Sequence, residues 1–303
     1  MEKNGILNVY KEPGFTSFDV VAKLRGIAGQ RKIGHTGTLD PMATGVLPVC
    51  LGKATKVCGL LTDWDKEYEA ELLLGRETDT LDVTGEVLRS TPVSVSETQV
   101  REAFSRFEGG YDQVPPMYSA LKVDGKRLYD LARKGVTVER QSRPVKLYEL
   151  EILEMALPVV RFRVLCSKGT YIRSLCADIG EVLGCGGCMQ SLVRTKVGPF
   201  FLSDARKLSE IEVRKADLTG LLRSVDALFP DLRQMRVTPE GERFLKNGNR
   251  LEAKDFVLSE DAAAYSSQTA SGAGIRVYDA AGAFAALYEY DRKAGNYKVR
   301  TMF

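Results

Sequence analysis

The spacing of apolar and polar residues along this chain changes over short segments between the period of a strand and that of a helix. Residues 6–10 have the character of a strand, Pro13-Gly14 ends it, and Thr16-Ser17 can cap a helix over 18–28. The same reasoning predicts strands at 46–51, 67–74, 145–155 and 159–167, and helices at 54–61, 96–107, 127–134 and 171–183. Because no regular βαβ rhythm is present, the pattern predicts an α+β fold and not a doubly wound sheet.

A change of pattern near Pro230 predicts a boundary between a large domain and a small one. Beyond it, residues 237–303 contain only short predicted strands and turns. A chain of 303 residues is long enough for two hydrophobic cores of unequal size. We therefore expect a large domain at 1–231 and a small, β-rich domain at 232–303.

Basic residues are unevenly distributed, although the net charge of the chain is only +3. A nucleic-acid-binding protein needs a local basic face and not a basic average, so this small net charge excludes nothing. Two segments are rich in Lys and Arg, at 122–146 and 161–173. From charge alone, each can be a solvated surface or a contact surface for phosphates.

Several kinds of protein and site are not expected from this composition. No run of 18 apolar residues is present and the first residues lack the pattern of a secretory signal, so we expect no membrane span and a cytoplasmic location. The six cysteines are expected to be free thiols. Cys185 and Cys188 form a CxxC pair, but the chain has one His and no second pair, so we expect a glycine-flexed junction there and no metal site.

The most informative segment is the loop at 34–45, whose sequence is GHTGTLDPMATG. Its glycines allow the backbone to approach a ligand closely, and Pro41 restricts Asp40 to extended conformations. His35, the only histidine of the chain, lies five residues before Asp40. A tight structural turn in which the aspartate bonds to the backbone would produce a similar composition, so spacing alone does not decide between a turn and a site.

The longer segment GHTGTLDPMATGVLPV closely resembles the catalytic motif of the TruB family of pseudouridine synthases. Lys11 with Gly14-Phe15-Thr16-Ser17 is similar to the KPxGxTS motif of that family, although the proline is displaced by one position. Further resemblances follow in the same order along the chain, at Lys66-Glu67-Tyr68, Pro116-Met117-Tyr118-Ser119-Ala120-Leu121-Lys122, Gly169-Thr170-Tyr171-Ile172-Arg173-Ser174-Leu175, Leu192-Val193-Arg194-Thr195 and Gly198-Pro199-Phe200. The resemblance covers residues 5 to about 229, and the tail resembles a PUA-type RNA-binding module.

The resemblance implies a mixed or antiparallel-sheet catalytic domain that isomerises uridine to pseudouridine at position 55, in the T loop of tRNA. It implies that Asp40 is the nucleophile and that Arg173 pairs with it. A carboxylate must be ionised to attack, so a cation beside Asp40 is expected on physical grounds as well. The isomerisation needs no redox step and no hydrolysis, so no cofactor and no metal are expected.

The remaining implied site residues bind the substrate. The target uridine lies inside folded RNA and must be flipped out of its stack. By resemblance Tyr68 stacks on the flipped base, Leu192 contributes an apolar contact in the pocket, and His35 fills the gap left in the RNA; we expect Tyr171 to help line the pocket. The expected partner is the T arm of tRNA, with no obligate protein partner and a monomeric enzyme.

Other functions fit the sequence less well. An RNA-binding or RNA-chaperone protein without turnover could use the same surface, but it would not require Asp40. The segment Gly52-Lys53-Ala54-Thr55 lacks the spacing and the hydroxyl of a phosphate-binding loop. Residues 79–86 have apolar side chains where a calcium loop needs ligands. We therefore expect residues 79–86 to be a connector that faces RNA or solvent. A glycosidase would need a second carboxylate. The start of the chain, close to Gly5, argues against the guide-RNA-dependent relatives.

Overall fold

The helices begin where the sequence supplies capping groups. The computed structural model describes residues 2–123, 125–258 and 272–303. Thr16 Oγ1 accepts the Asp19 N–H at 3.1 Å while the Asp19 carboxylate accepts the Thr16 N–H at 2.8 Å, and this reciprocal pair starts the first helix. The helices are α1 (Ser17–Ala28), α2 (Cys58–Thr62), α3 (Glu97–Ser105), α4 (Leu128–Ala132), α5 (Ile172–Val182), α6 (Leu208–Val213) and α7 (Pro239–Lys246).

The strands account for most of the remaining regular structure. They are β1 (Gly5–Lys11), β2 (Ile33–His35), β3 (Thr44–Leu51), β4 (Lys66–Leu74), β5 (Arg76–Thr78), β6 (Val87–Ser90), β7 (Tyr111–Gln113), β8 (Lys122–Val123), β9 (Lys126–Arg127), β10 (Arg143–Val145), β11 (Leu147–Ala156), β12 (Val159–Cys166), β13 (Gly187–Val197), β14 (Phe200–Phe201), β15 (Arg233–Arg236), β16 (Gly274–Tyr278), β17 (Phe284–Asp291) and β18 (Asn296–Met302).

An eight-stranded mixed sheet forms the larger part of the molecule. Its order is β1-β3-β13-β4-β12-β11, with β2 on β3 and β14 on β13. Most neighbours are antiparallel, but β13 runs parallel to β3 where Val193 and Arg194 lie beside Thr44 and Gly45. The predicted α+β class with a mixed sheet is therefore confirmed.

A four-stranded sheet, in the order β15-β16-β17-β18, is built from the tail of the chain. The tail strands that the sequence predicts at 276–278, 284–290 and 297–303 are confirmed as β16, β17 and β18. The interpretation of the tail as strands and turns alone was wrong, because it also contains α7. Thr238 caps that helix by accepting the Gly241 N–H at 3.0 Å, and Pro239 occupies its first turn, where no N–H is needed.

Two further predictions differ from the structure. No strand was predicted at 187–197, yet β13 is there, at the centre of the large sheet. Its register on β4 shifts between Met189 and Ser191 and again between Arg194 and Lys196, and these bulges interrupt the alternation that identifies a strand. The helix predicted at 54–61 is divided into a 3₁₀ turn over Gly52–Val57 and the short helix α2.

The main apolar core lies between the central strands and helices α3 and α5. It joins Leu72 of β4, Phe162 of β12, Phe104 of α3 and Leu175 of α5, all almost completely buried. The rings of Phe104 and Phe162 meet edge to face, with centroids 5.4 Å apart. This packing fixes the start of α5 against the sheet, which is where the residues discussed below converge.

A second core packs α1 and α6 on the other end of the same sheet. Val20 of α1 and Ile211 of α6 contact Leu7 of β1 and Leu47 of β3. No helix in the described ranges is both long enough and apolar enough to cross a membrane.

Two glycines in equivalent helical positions allow a stability prediction. A Cβ on Gly180, near the end of α5, would lie 2.2 Å from the Gly187 nitrogen, whereas a Cβ on Gly26, near the end of α1, would meet nothing within 4 Å. We expect Gly180→Ala to lower the free energy of unfolding by at least about 2 kcal/mol, because a backbone atom must move. Gly26→Ala is the control and should raise it by up to about 1 kcal/mol, from helix propensity. Urea unfolding measures both; equal effects would contradict the packing described.

Candidate active site

The loop between β2 and β3 carries Asp40, and a buried lysine holds this loop by hydrogen bonds to its backbone. Lys11 is fully buried, and its Nζ donates to the carbonyl oxygens of Pro41 at 2.9 Å and Ala43 at 2.6 Å. Ser17 Oγ accepts the Leu39 N–H at 2.8 Å. Because the backbone is fixed on both sides of Asp40, the direction of its carboxylate is set before any substrate binds.

Asp40 forms a two-point ion pair with Arg173 of α5. Arg173 Nε lies 2.9 Å from Asp40 Oδ2, and Arg173 Nη2 donates to Asp40 Oδ1 at 3.2 Å. The Arg173 side chain is only 6% exposed to solvent, whereas the Asp40 side chain is 38% exposed. The carboxylate is therefore held by Arg173 and remains partly exposed to solvent, as a group that reacts with a substrate must be.

Backbone carbonyls hold the guanidinium in turn. Arg173 Nη1 donates to Thr80 O at 2.9 Å, and Nη2 donates to Tyr118 O at 2.7 Å. Because two carbonyls and the Asp40 carboxylate hold the planar guanidinium, Arg173 orients Asp40 and does not merely neutralise it.

A second carboxylate lies behind the guanidinium. Asp82 Oδ2 is 3.9 Å from Arg173 Nη1, and its other oxygen accepts hydrogen bonds from Thr80 Oγ1 and the Thr84 N–H, both at 2.9 Å. Leu81, between these residues, has a left-handed backbone with φ of 62°. The sequence predicts that residues 79–86 are a connector facing RNA or solvent. Val83, Thr84 and Glu86 are exposed, whereas Thr80 and Asp82 contact Arg173.

The surroundings act on the Asp40 carboxyl in opposite directions. Burial is the largest effect and raises its pKa, and the charge of Asp82 raises it further; Arg173 and Lys11 lower it. The pKa remains above its ordinary value of 3.8. Lys11 shows the same influence of burial, which lowers its pKa to about 8.

The two tyrosines singled out in the sequence both lie near Asp40. Tyr68 of β4 belongs to the buried apolar cluster that also contains Leu39 and Leu192. Tyr171 precedes α5 and lies near both Arg173 and Asp40. Burial raises the pKa of each phenol, so both keep their protons at neutral pH. The structure thus brings Asp40, Arg173, Tyr68, Tyr171 and Leu192 together.

His35 lies at the other end of the loop, as the last residue of β2. Its Nδ1 accepts the Gly37 N–H at 3.3 Å. Burial and the charge of Arg194 lower its pKa below 6.5. The ring is therefore neutral at neutral pH, which suits a group that stacks among RNA bases.

Residues that the sequence did not single out support the site from outside. Gln113 is 1% exposed, and its amide bonds both backbone groups of Tyr171: Oε1 accepts the N–H at 2.8 Å and Nε2 donates to the carbonyl at 3.0 Å. These two bonds fix the backbone of Tyr171, the residue that precedes α5. No local pattern of the sequence marks Gln113, because the backbone that it bonds lies 58 residues away.

No group of three or more His, Cys, Asp or Glu side chains among the described residues is arranged to hold a metal ion. Cys185 lies in the turn after α5, and Cys188 is the second residue of β13. The sequence predicts a helix-to-loop junction here, and the structure continues from this turn directly into β13.

Comparison with known proteins supports the motif resemblance. Residues 25–172 match the family model described as "TruB family pseudouridylate synthase (N terminal domain)", and residues 173–229 match "tRNA pseudouridylate synthase B C-terminal domain". The chain is 52% identical to tRNA pseudouridine synthase B of Lachnoclostridium phytofermentans, with 99% of both chains covered. It is 49% identical to the protein of the same name from Alkaliphilus oremlandii, over 82% of this chain and 83% of the relative.

The chain belongs to the TruB family of pseudouridylate synthases. Solved structures agree with this family membership. A Cbf5-Nop10-Gar1 complex contains a chain with a TM-score of 0.72 and 26% identity, over 98% of this chain and 84% of that one. An H/ACA RNP bound to a substrate RNA containing 2′-deoxyuridine contains one with a TM-score of 0.71 and 25% identity, over 99% and 84%.

The raised pKa of Asp40 predicts the pH dependence of pseudouridine formation. A carboxylate that attacks as a nucleophile, the role proposed below for Asp40, is active only when ionised, so kcat/KM should fall as the pH falls through the pKa of the free enzyme. We expect this acid limb at an apparent pKa above 3.8, because burial and Asp82 disfavour the charge. The measurement is kcat/KM against pH, with the fold checked by circular dichroism at each pH. An acid limb at or below 3.8 in the folded enzyme would contradict this environment of Asp40.

Proposed function

We propose that this chain converts uridine 55 in the T loop of tRNA to pseudouridine and that Asp40 is its nucleophile. The observation that carries the proposal is the environment of Asp40. Its carboxylate lies inside the family motif, is partly exposed and is held at two points by a buried arginine. Its relatives are named tRNA pseudouridine synthase B, which indicates tRNA as the substrate. The reaction class follows from family membership, and the role of Asp40 is supported by its geometry.

The chemistry needs little more than this carboxylate and a pocket. The bond between C1′ and N1 breaks and its electron pair leaves with the uracil, while Asp40 stabilises C1′ by a covalent bond or as an ion pair. The base then turns, and C5 forms the new bond to C1′, displacing Asp40 where it had bonded there. The C5 proton leaves to solvent, and N1 takes up a proton from solvent. Atoms and electrons balance without a second reactant, so the proposal includes no cofactor.

The side chains around Asp40 suit a flipped base. We assign Tyr68 as the stacking surface, Tyr171 and Leu192 as further walls, and Arg173 as the group that holds the nucleophile. Both tyrosines are protonated and largely buried, so they offer flat apolar faces with a polar edge. We assign His35, whose lowered pKa keeps it neutral at the end of β2, to the gap that the uridine leaves.

The tail is proposed as a separate RNA-binding domain at 232–303, joined to a catalytic domain at 1–231. The described strands of the tail pair only with one another. Tyr278 donates to Asp226 Oδ2 at 2.9 Å and Arg276 Nε donates to Leu232 O at 2.9 Å, so the tail sheet holds the segment that leads into it. Loss of this domain should weaken RNA binding more than chemistry.

We further propose that the enzyme acts alone, as a monomer in the cytoplasm. The Cbf5-type neighbour was solved with Nop10 and Gar1, but this chain is twice as similar in sequence to the tRNA pseudouridine synthase B proteins, at 52% against 26% identity. Activity of the purified chain without any other protein or guide RNA would distinguish the two modes.

Tritium release from a T-arm hairpin labelled at C5 of its uridines tests these proposals together. We expect the purified full chain to release tritium from the hairpin, and not from one in which the uridine corresponding to position 55 is replaced by cytidine. A folded 1–231 fragment should keep residual release while its Kd rises by roughly 10-fold or more, because phosphate contacts are lost. No release by the full chain on this hairpin or on whole tRNA would contradict the function, and complete inactivity of the folded fragment would contradict the domain division.

A further inference from the structure

Arg194 is a buried charge that the reaction scheme above does not use. It lies in β13 at the centre of the large sheet and is 1% exposed. Among the described residues no carboxylate lies within ion-pair distance of it, in contrast to Arg173. A buried cation without a counter-ion is costly, and such groups are retained where their hydrogen bonds serve a purpose.

Its hydrogen bonds converge on the Asp40 loop. Arg194 Nε donates to Val46 O at 2.7 Å, and the two terminal nitrogens donate to the carbonyls of Gly37 at 3.2 Å and Thr38 at 3.5 Å. Val46 lies after the loop, and the other two carbonyls lie within it, before Asp40. One side chain therefore joins the two sides of the loop.

The same guanidinium also lies beside the tyrosine of the proposed pocket. Arg194 of β13 and Tyr68 of β4 are direct partners in the sheet. The charge of the guanidinium lowers the pKa of the Tyr68 phenol, against the larger effect of burial. Arg194 thus lies beside Tyr68 as well as beside the loop.

The backbone is built to bring the arginine this close. Arg194 lies beside Gly45 in the parallel pair of β13 and β3. A Cβ on Gly45 would lie 2.2 Å from the Arg194 oxygen, and Gly45 has a φ of 104°, so only glycine permits this approach. The contact between Arg194 and the loop therefore depends on Arg194 in β13 and on Gly45 in β3.

We propose that Arg194 is a positioning residue that sets the distance and orientation between Asp40 and Tyr68. The proposal deepens the synthase function and rests on it, since it assigns Asp40 and Tyr68 to opposite sides of one bound nucleotide. Arginine is required because its planar fork reaches Val46 and the loop carbonyls at once beside the phenol, whereas a lysine ammonium is a single point.

Lys66 provides a matched control in the same neighbourhood. It is 7% exposed and lies in β4, two residues before Tyr68. Its Nζ donates to the carbonyls of Thr62 and Trp64, at the end of α2, and not to the Asp40 loop. A purely structural role for a buried cation near the site would make the two residues equivalent.

The test compares Arg194→Lys with Lys66→Met in single-turnover tritium release at saturating RNA, together with Kd and Tm. We expect Arg194→Lys to lower the rate by about 100-fold with Kd changed by less than roughly 3-fold, because reacting groups are displaced after binding. Lys66→Met should lower Tm while its rate stays within roughly 3-fold of the wild type, because the loop keeps its bonds. A wild-type rate in Arg194→Lys, or an equal loss of rate in both variants, would overturn the proposal.

A measurement on the unmodified protein covers the case in which Arg194→Lys does not fold. With ¹⁵N-labelled arginine, the Arg194 Nε–H and Nη–H groups should give separate, slowly exchanging NMR signals, because each is held by an acceptor. Averaged, rapidly exchanging signals would overturn the proposal whether or not the wild type releases tritium. Slow signals in a protein that releases none would instead count against the synthase function alone.

Discussion

The ion pair between Asp40 and Arg173 is the interaction on which the rest of this structure depends. It joins a loop near the start of the chain to a helix 133 residues later, and it does so at two points. The arginine is buried and bonded to two backbone carbonyls, so it is the fixed partner and the aspartate is the oriented one. The sheet, α3 and α5 pack around a common apolar core that keeps these two segments in register.

The charges around this pair are balanced so that the carboxylate is oriented without being fully neutralised. Arg173 and Lys11 favour its ionised form, while burial and Asp82 oppose it. Lys11 and Arg194 hold the loop through backbone carbonyls on either side of Asp40 and do not compete for the carboxylate itself. A site arranged in this way is preorganised, so little reordering is required when a uridine enters it.

The sequence predicted the Asp40 loop because its signals are local. Glycines, the Asp-Pro step and a long motif lie within sixteen residues of one another. The Thr16 cap and the alternation of strands such as β4 are also signals carried by neighbouring residues. Long-range features were missed for a physical reason. Bulges in β13 remove the alternation that identifies a strand, and Gln113 and Arg194 act through backbone groups distant in the chain, which no local pattern reveals.

The central claim is that the Asp40 carboxylate reacts and does not merely bind RNA. The most direct measurement is single-turnover tritium release from the C5-labelled T-arm hairpin by the wild type and by Asp40→Asn, with the Kd of each for the same RNA. The amide keeps the size of the side chain but cannot act as a nucleophile, so we predict release by the wild type alone and similar binding by both. Release by Asp40→Asn at a comparable rate, or loss of binding in proportion to loss of release, would contradict the account.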